Sequence, residues 1–145
     1  MAASTTPIFP NVVRSAVAQF TNADTTTAKA IYTPTGTNGA RVDGITVTNT
    51  DTNPYTVQLF MRQGSTNYLL GTASIPASAG NLGTVQPVNL LAAIAVASGG
   101  PNPFPVDAQG NMILYLDAST SLWAAMTGTI TAAKSVNFTT LGGEY

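Results

Sequence analysis

The chain of 145 residues contains no cysteine and no histidine, and only 8% of its residues are charged. Without cysteine there is no disulfide framework, no thiolate nucleophile and no Cys-ligated zinc or iron–sulfur site. Without histidine, both the commonest general base and the commonest metal ligand are missing. Because the side chains that bond-making chemistry uses are scarce, we expect a protein that is not an enzyme and that uses no cofactor and no metal.

Charge is also close to balanced, with five basic and six acidic residues and a formal net charge of -1. Five basic residues cannot build an effective phosphate-binding face, so we expect no nucleic-acid partner. The longest apolar run, residues 90–97, is about half of the length that a membrane span needs, and we expect no membrane partner.

The first residues lack the basic and apolar regions of a secretory signal, which predicts synthesis in the cytoplasm. Removing water from a surface with little charge costs little free energy, which indicates assembly with other subunits.

The few carboxylates do not form a recognisable site. Asp24, Asp51, Asp107 and Asp117 lie in or beside predicted turns, where aspartate typically bonds its own backbone. Residues 49–53 resemble the start of a calcium loop, but Pro54 and Phe60 stand where that loop needs glycine and glutamate. A weaker oxygen-ligand site between loops stays open as an alternative, and no pair of carboxylates is favoured for glycoside hydrolysis.

The hydrophobic pattern is that of strands. Tyr55, Val57, Leu59 and Met61 alternate with mostly polar residues, which is the two-residue period of a half-buried strand, and residues 68–75 are its predicted antiparallel partner. Further strands are predicted over residues 12–20, 26–32, 42–48, 85–91, 112–116, 122–131 and 134–140. The pair Asn38-Gly39 predicts a tight hairpin turn. Residues 112–116 are apolar on both sides, which predicts a central strand, and residues 91–98 predict one or two helical turns.

Roughly eight strands separated by turns predict an all-β fold, a single-domain antiparallel β-sandwich of jelly-roll type. We assign this domain to residues 12–145. Residues 1–11 are small and polar with two prolines, which predicts an extended N-terminal arm that presents Ile8 and Phe9 as apolar anchors. The alternative interpretation of the arm is a frayed terminus.

Between about residues 40 and 145 the chain carries a series of turn-and-strand motifs. They are VTNTD at 47–51, YTVQL at 55–59, PVNLL at 87–91, FPVDAQGN at 104–111, Leu114 with Leu116, SLWA at 121–124 and LGGEY at 141–145. In this succession the chain resembles small structural proteins of tailed double-stranded DNA bacteriophages.

The resemblance implies a non-enzymatic bacteriophage virion structural protein. The role it favours is a capsid decoration or cement protein on the surface of the phage head, with the major capsid protein and copies of itself (a homo-oligomer) as partners. The residues expected at the capsid or subunit interface are Ile8, Phe9, Val12, Trp123 and Tyr145. The alternatives are a tail, collar or fibre-base subunit, or a carbohydrate- or receptor-binding sandwich. In the last case Trp123 with Tyr32, Tyr55, Tyr68 or Tyr115 would form a sugar-stacking platform.

Overall fold

The computed structural model describes residues 10–97 and 99–145. Most of the predicted arm, including Ile8 and Phe9, lies outside the described residues, so its conformation stays a prediction. The described residues form nine strands and one α-helix: β1 (Val12–Thr21), β2 (Lys29–Tyr32), β3 (Ala40–Asn49), β4 (Tyr55–Gln63), β5 (Thr66–Ile75), β6 (Val88–Asn89), α1 (Leu90–Ala97), β7 (Leu114–Leu116), β8 (Thr120–Met126) and β9 (Ser135–Glu144).

The strands pair as one long hairpin that is folded over on itself. β4 and β5 form the hairpin at its tip, and the pairs β3–β7, β2–β8 and β1–β9 follow outward from it, all antiparallel. Rolling this hairpin distributes the strands over two sheets. The front sheet has the order β1-β9-β3 with β6 and β7 on the far edge of β3, and the back sheet has the order β2-β8-β4-β5. This is the strand order of a jelly roll, and the predicted fold class is confirmed.

The core lies between the two sheets and is filled by alternate residues of their strands. Val57 and Leu59 of β4 are fully buried, as the period-two pattern predicts, and so are Val47 of β3 and Val136 of β9. The rings of Phe20 and Phe138 pack with their centroids 5.2 Å apart in a tilted arrangement, which joins β1 to β9 inside the sandwich.

The predicted hairpin at Asn38-Gly39 is wrong, because β2 belongs to the back sheet and β3 to the front sheet. The segment between them crosses from one sheet to the other. Gly39 has a φ of +89°, and a Cβ there would lie 2.3 Å from the carbonyl oxygen of Leu116. Glycine is therefore required at position 39 for the close approach of two chain segments.

Three strand predictions need correction. Residues 85–91 contain only the two-residue strand β6, because Pro87 lacks an N–H and the helix begins at Leu90. Residues 112–116 do not form a central strand, since β7 has three residues and pairs with β3 alone among the described strands. Residues 128–131 do not continue β8, which ends at Met126, although the Thr127 N–H still donates to the Thr56 carbonyl of β4 at 3.0 Å.

The helix α1, predicted over residues 91–98, packs on β5. A Cβ at Gly71 of β5 would lie 2.3 Å from Cγ2 of Ile94, so this glycine lets the helix approach the strand. With eight residues, α1 is the longest helix in the described part of the chain and is too short to cross a bilayer.

Candidate contact surfaces

The outward side chains of β1, β9 and β3 form a continuous surface, which we call the front face. The strand register sets them in rows across the sheet. One row is Val13, Gly143 and Arg41, extended by Tyr115 of β7. The next two rows are Ser15, Leu141 and Gly44, and then Val17, Thr139 and Thr46. The last row is Gln19, Asn137 and Thr48.

The front face is apolar and hydroxyl-rich. Val13 is 92% exposed, Val17 80% and Leu141 51%. Among its described residues the charged side chains are Arg41 and Asp43, which lie at one end of the face and pair with each other at 2.6 Å between Nε and Oδ1. A partner that covers the rest of the face would displace water from valine, leucine and threonine without desolvating a charge.

Strand β1 is also an edge of the front sheet. It pairs with β9 over ten residues with no register shift, and no other described strand pairs with it. In natural proteins, proline, charged side chains or bulges commonly prevent edge strands from pairing with a further strand. Within β1 the charged residue is Arg14, and the Lys29 ammonium donates to the Gln19 carbonyl at 2.7 Å. As far as residues 10–97 and 99–145 show, most of this edge is therefore open to a further strand.

The outer side of the back sheet carries an aromatic row. Register places Ala30, Trp123, Phe60 and Leu69 side by side across β2, β8, β4 and β5. The Arg62 guanidinium lies 4.0 Å from the centroid of the Trp123 ring, and Trp123 Nε1 donates to Ser121 Oγ at 2.9 Å. Trp123 is thus half-buried and held in one orientation by its neighbours.

This geometry corrects the predicted sugar-stacking platform around Trp123. Tyr32 is 1% exposed and lies in the core. Register sets Tyr68 opposite Met61, on the other side of the sheet from Phe60. The Tyr55 hydroxyl donates to Asp51, and Tyr115 belongs to the front sheet. No platform of Trp123 with one of these tyrosines exists.

The expected interface residues do not form one surface. Val12 is 57% exposed and pairs with Glu144 at the start of β1. Tyr145 follows directly after β9, at the same end of the sandwich. Trp123 lies on the opposite sheet, and Ile8 and Phe9 are outside the described residues. The predicted set does not include Val13, Val17 and Leu141, which are exposed on the front face. Residues 12–20 do not alternate regularly between apolar and polar side chains, so no clear signal in the sequence marks the outward valines.

Asp51 is 1% exposed and ties two loops together. Its carboxylate accepts from the Tyr55 hydroxyl at 2.5 Å, from the Asn53 N–H at 3.2 Å and from the Thr131 N–H at 3.2 Å. Contacts with Thr131 and the Tyr55 hydroxyl hold the pKa of Asp51 well below its usual range. The group joins the β3–β4 loop to the β8–β9 loop, which is more than the local turn role that the sequence predicts for it.

Glu144 plays a similar part at the other end of the sandwich. It is 5% exposed and accepts from the N–H and hydroxyl of Thr35, each at 2.9 Å, and from the Gly36 N–H at 3.1 Å. Arg14 Nε lies 3.7 Å from the same carboxylate. The Thr35 N–H is the main cause that lowers the pKa of Glu144. Both buried carboxylates therefore have bonded partners and a structural role.

In the described ranges, no group of three or more acidic side chains is placed to hold a metal ion, and this includes the segment 49–53. Asp51 within that segment is already engaged by the donors of its own loop and of Thr131. The segment that resembles a calcium loop therefore holds the β3–β4 loop to the β8–β9 loop through Asp51.

No protein-family model matches the chain, and no curated protein matches it. Among solved structures, a chain described as part of the capsid asymmetric unit of cyanophage Pam1 matches with a TM-score of 0.45 and 18% sequence identity. The match covers 100% of this chain and 93% of that chain. A likeness at this level establishes neither a shared fold nor a shared role.

Proposed function

We propose that this chain is a non-enzymatic virion structural protein that decorates the outer surface of a phage head. In this role it binds the major capsid protein lattice through the front face and stabilises the shell. The observation that carries the proposal is that the three-stranded front face has almost no charged side chains. Its residues Val13 and Val17 are largely exposed to solvent.

The front face is large enough to supply part, but not all, of a stable protein–protein interface. Ten-residue strands at about 3.4 Å per residue, with three strands about 4.8 Å apart, cover roughly 500 Å². A stable interface buries about 800 Å² per partner. The front face therefore supplies more than half of one interface, and contacts by residues 1–11 or by further copies of the chain supply the remainder.

Two further features support a structural role. The jelly roll is a fold found in viral capsid domains as well as in lectins, although a fold alone does not define a function. The resemblance of residues 40–145 to small structural proteins of tailed phages points in the same direction. Without histidine or cysteine, and with its two buried carboxylates bonded to loops, the chain is proposed to act by contact and not by catalysis.

The first test places a charge in the centre of the front face. We expect Val17→Lys to weaken co-sedimentation with purified heads that lack the protein by tenfold or more, because the lysine would be buried without a partner. The matched control is Leu69→Lys, which changes a 54% exposed aliphatic residue on the back sheet. Both variants should melt like the wild type, since neither side chain is in the core.

Equal binding by Val17→Lys and the wild type would remove the front face from the proposal. Loss of binding by Leu69→Lys alone would assign the contact to the back sheet. Binding to tails in place of heads would favour the tail, collar or fibre-base alternative.

The second test removes the arm. We expect deletion of residues 1–11 to weaken head binding several-fold and to leave the melting temperature nearly unchanged. Among the described residues, the deletion removes the bond from the Asn11 N–H to the Glu144 carbonyl, at 2.7 Å, and the packing of Pro10 near Gly143. Unchanged affinity of the truncated chain for heads would show that the arm is not part of the contact.

A further inference from the structure

A cavity of about 690 Å³ opens at the end of the front sheet where β1 begins and β9 ends. Its described lining residues are Asn11, Asn38, Tyr115 and Tyr145, which come from four separate segments of the chain. The volume lies within the range of 300–1,000 Å³ that is typical of small-ligand sites.

Backbone contacts hold these four residues in place. The Tyr145 N–H donates to the Gly39 carbonyl at 3.2 Å, which fixes the end of β9 beside the segment that carries Asn38. The Asn11 N–H donates to the Glu144 carbonyl at 2.7 Å. Tyr115 is opposite Arg41 in the β3–β7 pair. The site is therefore built on paired strands and on the required glycine at position 39.

The polar groups of the four lining side chains have no hydrogen-bond partner among the described residues. No hydrogen bond to another described residue is formed by the side-chain amides of Asn11 and Asn38 or by the phenols of Tyr115 and Tyr145. Each amide offers two N–H donors and a carbonyl acceptor, and each phenol is both a donor and an acceptor.

The charges near the cavity are already paired. Arg41 bonds Asp43 at 2.6 Å and lies 3.9 Å from Asp107. Burial and the neighbouring Tyr115 raise the pKa of Tyr145, so its phenol is neutral at physiological pH. None of the four lining side chains is charged near pH 7, which favours an uncharged ligand.

We propose that this cavity binds an uncharged saccharide unit. Tyrosine rings present flat apolar faces to the C–H faces of a sugar, while amides and phenols match the mixed donors and acceptors of its hydroxyl groups. The proposal goes beyond head decoration, and it places sugar binding at the Tyr115–Tyr145 end of the front sheet and not at Trp123.

The test is saturation-transfer NMR on the full chain with glucose, galactose, N-acetylglucosamine and rhamnose, each titrated to 50 mM, and with glucuronate as a charged comparison. We expect at least one neutral sugar to bind saturably with a Kd in the millimolar range, which is ordinary for a single sugar unit (1 mM corresponds to about -4.1 kcal/mol). Glucuronate should bind at least tenfold more weakly.

Matched variants locate the site. Tyr115→Ala and Tyr145→Ala should each weaken sugar binding about tenfold, whereas Tyr68→Ala, which removes a 56% exposed tyrosine of the back sheet, should leave it unchanged. The fluorescence of Trp123, the single tryptophan, should not respond to sugar. A response of Trp123, equal effects of Tyr68→Ala and Tyr115→Ala, or no saturable binding of any of the four sugars would each overturn the proposal. Head binding is measured separately, with Val17→Lys and Leu69→Lys, so failure of sugar binding and failure of head binding are distinguishable.

Discussion

Leu59→Asp is expected to unfold the protein. Leu59 is fully buried at the centre of β4, where its backbone neighbours are Gly71 of β5 and Ala124 of β8. The substitution removes a buried aliphatic side chain and puts a carboxylate in its place with no cation nearby to pair with it. The lost packing and the unpaired buried charge together exceed about 5 kcal/mol, which is the lower end of the stability of an ordinary domain.

The measurement is the far-ultraviolet circular dichroism and melting curve of the purified variant. The matched control is Thr56→Asp, an exposed outward position of the same strand, which should stay within about 0.5 kcal/mol of the wild type. A soluble Leu59→Asp variant that melts like the wild type would show that the assigned inner side of β4 is wrong.

Asp51→Ala is expected to destabilise the folded state by about 2–4 kcal/mol. The change leaves the Tyr55 hydroxyl and the N–H groups of Asn53 and Thr131 without their shared acceptor. The two loops at this end of the sandwich would then be held only by their remaining contacts. Urea unfolding measures the loss.

The same substitution should alter the pH dependence of stability. Because the pKa of Asp51 is lower in the folded state than in the unfolded chain, its contribution is complete above the unfolded value of about 4 and is lost as the pH falls below it. Glu144 acts in the same direction. The wild type should therefore lose stability below about pH 4, and Asp51→Ala should lose less over that range.

Asp117→Ala is the control for the urea measurement. Asp117 accepts from the Ser119 N–H and the Thr120 hydroxyl within its own turn, so its loss should cost much less than that of Asp51. Equal losses for the two variants, or an unchanged acid profile for Asp51→Ala, would contradict the role of Asp51 as a clamp between loops.

The fold was predictable from the sequence where burial follows the strand period. Alternation along residues 55–61 identified β4 and its inner side, and the turn-forming residues after it identified the β4–β5 hairpin. Local patterns do not show which sheet a strand joins. Asn38-Gly39 therefore predicted a hairpin, although the segment crosses between sheets, and the apolar residues 112–116 predicted a central strand, although β7 lies at an edge.

The candidate surfaces were predictable only in part. Low charge indicated contact surfaces, but the front face depends on which strands lie beside β1, and pairing between residues more than 100 positions apart cannot be deduced from a single sequence. For the same reason the grouping of Asn11, Asn38, Tyr115 and Tyr145 was not foreseen. Asp51 was assigned to a local turn because its partner Thr131 lies 80 residues away.

An electron cryomicroscopy map of the phage particle tests the central claim most directly. The proposal predicts copies of this jelly roll on the outside of the head, with Val13, Val17 and Leu141 of the front face covered by the shell. A map with no copy of the chain on the head, or with these three side chains exposed to solvent on the head surface, would contradict it.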